Sequence, residues 1–143
     1  MAHVENKERV RGRTRFQKMI FVLQHQIKNF KDKYDFIPHD YGPYSRELQD
    51  DIDNLIEKEL LIEVCNTIEE GKIKYVYQIT KKGESLVQSI LDDSDLEKKF
   101  RFNRIADIAS RIKHDLNRKH LPTLLTDIYE QYPDFSKHSV FHF

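Results

Sequence analysis

The spacing of hydrophobic residues changes twice along this chain, and that change limits what it can fold into. From Thr14 to Asn29, and just beyond to Phe30, the apolar positions Phe16, Met19, Ile20, Leu23, Ile27 and Phe30 recur at helical spacing, which predicts an amphipathic helix. Residues Tyr44 to Glu59 repeat the pattern with Leu48, Ile52, Leu55 and Ile56, and Leu60 follows. Pro43 and Ser45 suit the start of that second helix, because neither breaks an intrahelical bond there. After Leu60 the period falls to two. Leu61–Asn66 reads as a strand, Glu69-Glu70-Gly71 as a turn and Lys72–Thr80 as the returning strand, with Ile73, Tyr75, Tyr77 and Ile79 on one face and Lys72, Lys74 and Gln78 on the other. Helical spacing then resumes. Thr80 is placed as an N-cap before Leu86, Val87, Ile90 and Leu91. A longer helix is expected from Asp95 to Asn117, and a last one from Leu121 to Tyr132, stopped by Pro133.

Between the first two helices, residues 35–45 read Asp-Phe-Ile-Pro-His-Asp-Tyr-Gly-Pro-Tyr-Ser. Pro38 and Pro43 push Ile37 and Gly42 toward extended backbone, so a structured loop with a short edge strand is expected. With 143 residues, four glycines and four prolines, the chain has the length of one domain built from long regular elements. Its 38% hydrophobic, 34% charged and 11% aromatic content is polar for a folded chain but too aromatic for a disordered one. No apolar run approaches the roughly 18 residues that span a bilayer, and residues 1–13 hold no signal-peptide core, so no membrane association is expected. A single Cys forms no internal disulfide, which points to the cytoplasm.

Net charge is zero, but unevenly spread. Residues 1–31 carry eight basic side chains against two carboxylates, and residues 32–70 carry three against twelve. Residues 98–143 are basic again. Such asymmetry bears on partners rather than on fold.

Helix, tight connection, helix and a hairpin with a charged glycine-containing turn is the order of a winged helix. The expected architecture is mainly α (α+β): a winged helix-turn-helix with a β-hairpin wing and two extra C-terminal helices. Residues 1–13 are read as a basic arm, 14–93 as the winged-helix domain and 94–143 as a helical extension. Arg15-Phe16-Gln17-Lys18-Met19-Ile20-Phe21, then Tyr41-Gly42-Pro43-Tyr44-Ser45 with Glu47 and Leu48, then Tyr77, Ile79, Thr80 and Gly83 resemble the YwgA-like group of prokaryotic winged-helix proteins. That group is similar in outline to the PadR and MarR regulators. The resemblance covers roughly residues 13–91, and it carries over no catalytic or ligand-binding residue.

On that scaffold the 44–59 helix is the candidate recognition helix. Tyr44, Ser45, Arg46 and Gln49 stand at its N-terminal end, with Arg46 and Gln49 suited to read guanine and adenine edges. The rest of its outer face is acidic, which opposes phosphate and equally fits a plain solvated surface. Lys72 and Lys74, with Lys81 and Lys82 beyond, suit wing contacts to phosphate or an ordinary polar strand face. Lys7, Arg9, Arg11, Arg13 and Arg15 form an alternating basic register, suited to phosphate or minor-groove contact or to lying on the acidic middle of a chain. Phe36, Tyr41 and Tyr44 are read as loop packing in preference to a stacking platform. Enzymatic signals are weak. Cys65 is expected to be a small buried apolar residue, His138 and His142 lack a third metal ligand, and Glu70-Gly71-Lys72 is a common tripeptide. No catalytic set, metal or cofactor is expected.

Two functions from different classes therefore stand open. One is a DNA-binding transcriptional regulator, homodimeric through Ile105, Ile108, Ile112, Leu116, Leu124 and Ile128 on the last two helices, unless those helices fold back and enlarge their own domain's core. The other is a non-catalytic interaction module that binds a protein partner, as an adaptor, an antitoxin-like protein or a complex subunit.

Overall fold

The computed structural model describes residues 9–27, 34–67 and 73–139. In chain order the elements are β1 (Val10–Arg11), α1 (Arg13–Gln26), β2 (Ile37–His39), β3 (Gly42–Tyr44), α2 (Arg46–Glu57), β4 (Leu61–Thr67), β5 (Ile73–Ile79), α3 (Lys81–Leu91), α4 (Leu96–Arg118) and α5 (Leu121–Gln131), with a 3₁₀ turn at Pro133–Ser136. The fold is mainly helical α+β with small antiparallel sheets. The expected turn at residues 69–71, the candidate Lys72 and the basic residue Lys7 lie outside the described residues.

Local chemistry explains the boundaries. Ser45 caps α2 by accepting from the Leu48 amide, Thr80 caps α3 through the Gly83 amide, and Asp95 caps α4 through the amides of Glu97 and Lys98. At its other end α2 closes with Glu59 in the left-handed region, where the Leu60 amide donates to the Leu55 carbonyl and the Glu59 amide to the Ile56 carbonyl. The strands β2 and β3 pair as a small hairpin with Pro38 opposite Pro43. Proline donates no amide hydrogen, so this ribbon stays short and unextended.

The other sheet runs in the order β1-β5-β4, all antiparallel. Val76 and Tyr77 are neighbours on β5 and both are buried. Successive strand residues point to opposite faces, so this central strand is covered on both sides. One face had been expected to be polar; Lys74 is exposed as expected, but Val76 fills the other side. Edge strand β4 is covered less completely, and Cys65 on it is exposed rather than buried, a correction to the expectation from sequence.

Two clusters make one core. Met19, Phe21, Ile112, Leu116, Leu124 and Ile128 form the larger, and Leu48, Ile52 and Tyr77 the smaller. Val10 and Phe36 pack against both. Phe21 is the hub, with the rings of Phe36, Tyr132 and Phe135 each about edge-on at 5.0–5.2 Å.

That core revises the division of the chain. Ile112, Leu116, Leu124 and Ile128 are 2–7% exposed, buried against Met19 and Phe21 of α1. Each such burial contributes about 1.5–3 kcal/mol to this chain's own folding. They are therefore core residues and not a surface for a second copy. Ile108 packs half-buried on the same cluster, and Ile105 is half-buried as well. Residues 94–139 complete the core that residues 14–93 begin, so no boundary falls at residue 93.

Candidate functional site

Two of the three sequence stretches that carry the family resemblance meet in space. Gln17 and Lys18, adjacent on α1, are both 2% exposed, and each holds one residue of the β3–α2 junction. The Gln17 side-chain amide grips Ser45 at both backbone groups: its Oε1 accepts from the Ser45 N–H at 2.9 Å and its Nε2 donates to the Ser45 carbonyl at 3.0 Å. Lys18 Nζ donates to the Pro43 carbonyl at 2.6 Å. Gly42 has φ of +86°, and a Cβ there would stand 3.1 Å from Lys18 Cε and 3.2 Å from a Leu125 methyl. Glycine is required at that position by conformation and by space.

Above this junction lies an open cleft of about 360 Å³, lined by residues of three elements. Arg13, Thr14, Gln17 and Lys18 come from α1, His39, Tyr41, Gly42 and Tyr44 from the hairpin, and Gln49 and Asp53 from α2. The His39 and Tyr44 rings lie against one another, their centroids 4.9 Å apart, and Tyr41 is exposed at the rim. Burial alone pushes the Lys18 ammonium well below its ordinary value, to about 7, with no carboxylate offsetting the loss of solvent.

The grip on Ser45 is the geometric basis of the site. Gln17→Leu strands the Ser45 N–H, which costs about 1–3 kcal/mol when buried without a partner, and removes one of the two bonds to the Ser45 carbonyl, which keeps the Gln49 amide. The expected outcome is a lower urea midpoint at unchanged slope, a loss of about 2–4 kcal/mol. A Leu variant as stable as the parent would show that Gln17 does not organise the junction.

The candidate DNA contacts are dispersed over the surface and most are engaged within the chain. Arg9 donates to the Gln78 side chain on β5. Arg13 donates to the Tyr77 hydroxyl at 3.1 Å, lies 3.4 Å from Glu63 and covers the Tyr75 ring at 3.8 Å. Arg15 donates to the carbonyls of Arg11 and Lys119, and its Nε is buried without a partner. The Arg11 side chain is exposed. The described part of the arm, from Arg9 on, is thus strand β1 with its flanking residues and the first turn of α1. Its alternation of Arg with Val10 turns the apolar residue inward to both core clusters.

On α2, Arg46 is paired with Asp50 at 3.3 Å, and the Gln49 amide donates to Asp53 at 3.1 Å. Both partners are one helical turn on, the spacing at which side chains meet. Ser45 is buried as the helix cap and Tyr44 is half-buried, which corrects their expected role as outward contacts. Around them Glu47, Asp50, Asp51, Asp53 and Glu57 are exposed, and the Tyr34 hydroxyl donates to Asp51. Phe36 packs on Phe21 as expected for a loop aromatic, while Tyr41 and Tyr44 line the cleft. Among the described residues no group of three or more His, Cys, Asp or Glu side chains is arranged to hold a metal; His142 lies outside them.

The sequence reading missed Gln17, Lys18, His39 and Asp53 as a group. Its one available signal was their position within, or one turn from, the motifs of the resemblance.

No protein-family model and no solved structure matches this chain. It is 38% identical over 86 residues to a protein of Bacillus subtilis (strain 168) named "Uncharacterized protein YwgA". The match covers 60% of this chain and 48% of the relative, so the chain spans about half the length of the curated relative it matches.

Proposed function

We propose that this chain is a non-catalytic protein-interaction module on a winged-helix scaffold, acting in the cytoplasm as an adaptor, antitoxin-like protein or complex subunit. The observation that carries this reading is the acidic outer face of α2. Its two groups suited to base edges, Arg46 and Gln49, are held by Asp50 and Asp53. Duplex affinity rests on neutralising phosphates, and this face repels them. It fits instead a basic segment of a partner protein. The order of capped helix, hairpin and third strand supports the winged-helix scaffold. Among the described residues, no helix is long and apolar enough to cross a membrane.

A DNA-binding regulator is the second reading, favoured by exposed Arg9 just before β1 and Arg11 on it, with Lys74 on β5 and Lys81 and Lys82 beyond. Fluorescence anisotropy separates the two. A fluorescein-labelled oligolysine peptide is expected to bind with an affinity that falls with salt and is lost in an Asp50→Asn, Asp53→Asn, Glu57→Gln variant. Random duplex DNA is expected to bind no tighter than the nonspecific range of about 10⁻⁴–10⁻⁶ M. Sequence-selective duplex binding that Arg46→Ala weakens by about 1–3 kcal/mol would overturn the module reading in favour of the regulator.

A further inference from the structure

Lys18 is the least expected residue in the molecule. An ammonium has three donors and no acceptor. Pro43 takes one of them, and the described residues supply no second acceptor. The group is nevertheless almost wholly enclosed and lines the cleft. Charges buried to this degree are ordinarily paired. The surroundings do not offer such a pairing: Asp53, the one carboxylate lining the cleft, is engaged with Gln49. The other lining groups able to carry charge, Arg13 and His39, are cationic when charged. The floor of the cleft beside Lys18 is packed: a Cβ at Gly42 would meet Lys18, Leu125 and Tyr129 within 3.5 Å.

We infer that this cleft binds the C-terminal carboxylate of a partner's basic tail, with the carboxylate on Lys18 and the preceding cationic side chains along the acidic face of α2. The inference rests on the interaction-module reading and specifies its ligand. A carboxylate accepts what the ammonium has left to donate, in a charge-assisted bond stronger than a neutral one. A chain end suits a cleft closed at its base, because no further residue has to leave it. It also allows the rest of the segment to be uniformly basic, as the carboxylates at Glu47, Asp50, Asp53 and Glu57 require. Tyr41 and Tyr44 flank the entrance with apolar rings and polar tips, a common lining for peptide sites.

Three labelled oligolysine probes of equal length test this by anisotropy: one with a free C-terminus, one amidated, and one amidated with a single internal glutamate. The free acid is expected to bind about tenfold tighter than the plain amide, and Lys18→Met to abolish that difference. Lys18→Arg should retain part of it. Equal binding of free acid and amide overturns the carboxylate site and leaves the module reading standing. Failure of all three probes overturns both. A glutamate probe that matches the free acid replaces the chain end with an acidic side chain as occupant, and so overturns the inference as stated. Backbone amide shifts give an independent readout. The free acid should move the Gly42, Tyr44 and Gln49 resonances, and changes confined to α3 and α4 would overturn the site.

Discussion

Replacing Lys18 with methionine is expected to stabilise the protein near neutral pH and to remove a rise in stability with pH that the parent shows. Lys18 titrates at about 7 in the folded chain, from an ordinary 10.5, because burial disfavours its charge. Its folded value is lowered, so between these two values the unfolded chain binds more protons, and stability increases as pH rises. Below about pH 7 both states are protonated and the fold bears the whole cost of the buried charge, on the order of 5 kcal/mol for a shift of this size. Methionine fills similar space without charge but leaves the Pro43 carbonyl without its donor, which costs about 1–3 kcal/mol. The net gain near pH 6 is then about 3 kcal/mol, or roughly 9 °C in Tm. By about pH 9.5 most of the gain should be gone. Calorimetry of both proteins across that window is the measurement; a parent whose Tm is flat with pH would show that Lys18 is not buried as a cation. A residue that weakens its own fold at neutral pH is better explained by a task than by architecture.

The largest loss is expected from Gly83→Ala. By helix propensity alone this change within α3 favours alanine by about 1 kcal/mol. Here the added Cβ would stand 2.2 Å from the Leu60 carbonyl oxygen and 2.8 Å from Ile79 Cγ1. The first of these is backbone at the end of α2, already accepting from the Thr80 amide, so it has little freedom to withdraw. Relief requires α3 to separate from the α2–β4 junction, which also strains the Thr80 hydroxyl bond to the Glu59 carbonyl and the Lys82 bond to Lys58. A loss of about 3–5 kcal/mol is expected, at the upper end for single substitutions. Urea unfolding measures it. A variant more stable than the parent would mean that propensity prevails and that the close approach of α3 is not maintained.

The helices were legible because most of them present one apolar face. Leu48 and Ile52 of α2 stand at helical spacing and both are buried, and Ser45, Thr80 and Asp95 mark their starts by simple capping chemistry. The hairpin was legible from alternation, since Leu61 to Thr67 pairs with Ile79 to Ile73 in unbroken register. Helix α1 was legible as a helix but not by face. It is wedged between both clusters, with Phe16 and Ile20 toward Tyr77 and Met19 and Phe21 toward α4 and α5. No single stripe describes it, and Phe21, the hub of the aromatic packing, falls outside the expected one. The same wedging buries Gln17, Lys18 and Gln24, polar residues that a pattern of apolar spacing assigns to solvent. Their partners lie at Ser45 and Tyr34, outside the regular elements, and at Pro43 in the three-residue strand β3, stretches too short to carry a period that would reveal them. Strand β1 was invisible because two residues carry no alternation. The acidity of α2 was legible, but its effect on Arg46 and Gln49 required the observed pairings.

The short strand β1 is held where it is by one side chain from far along the chain. Asn117 donates to the Arg9 carbonyl and accepts from the Arg11 amide, completing a small sheet whose other strand partner is β5. On the ribosome, residues 9–26 therefore emerge long before the groups that hold them. Val10 and Arg11 must await Tyr77 and Val76 for their strand partners, and then Asn117 for their clasp. Met19 and Phe21 must await Leu124 and Ile128. The smaller cluster, complete by Tyr77, can close first, but the larger one waits until α5 has left the exit tunnel.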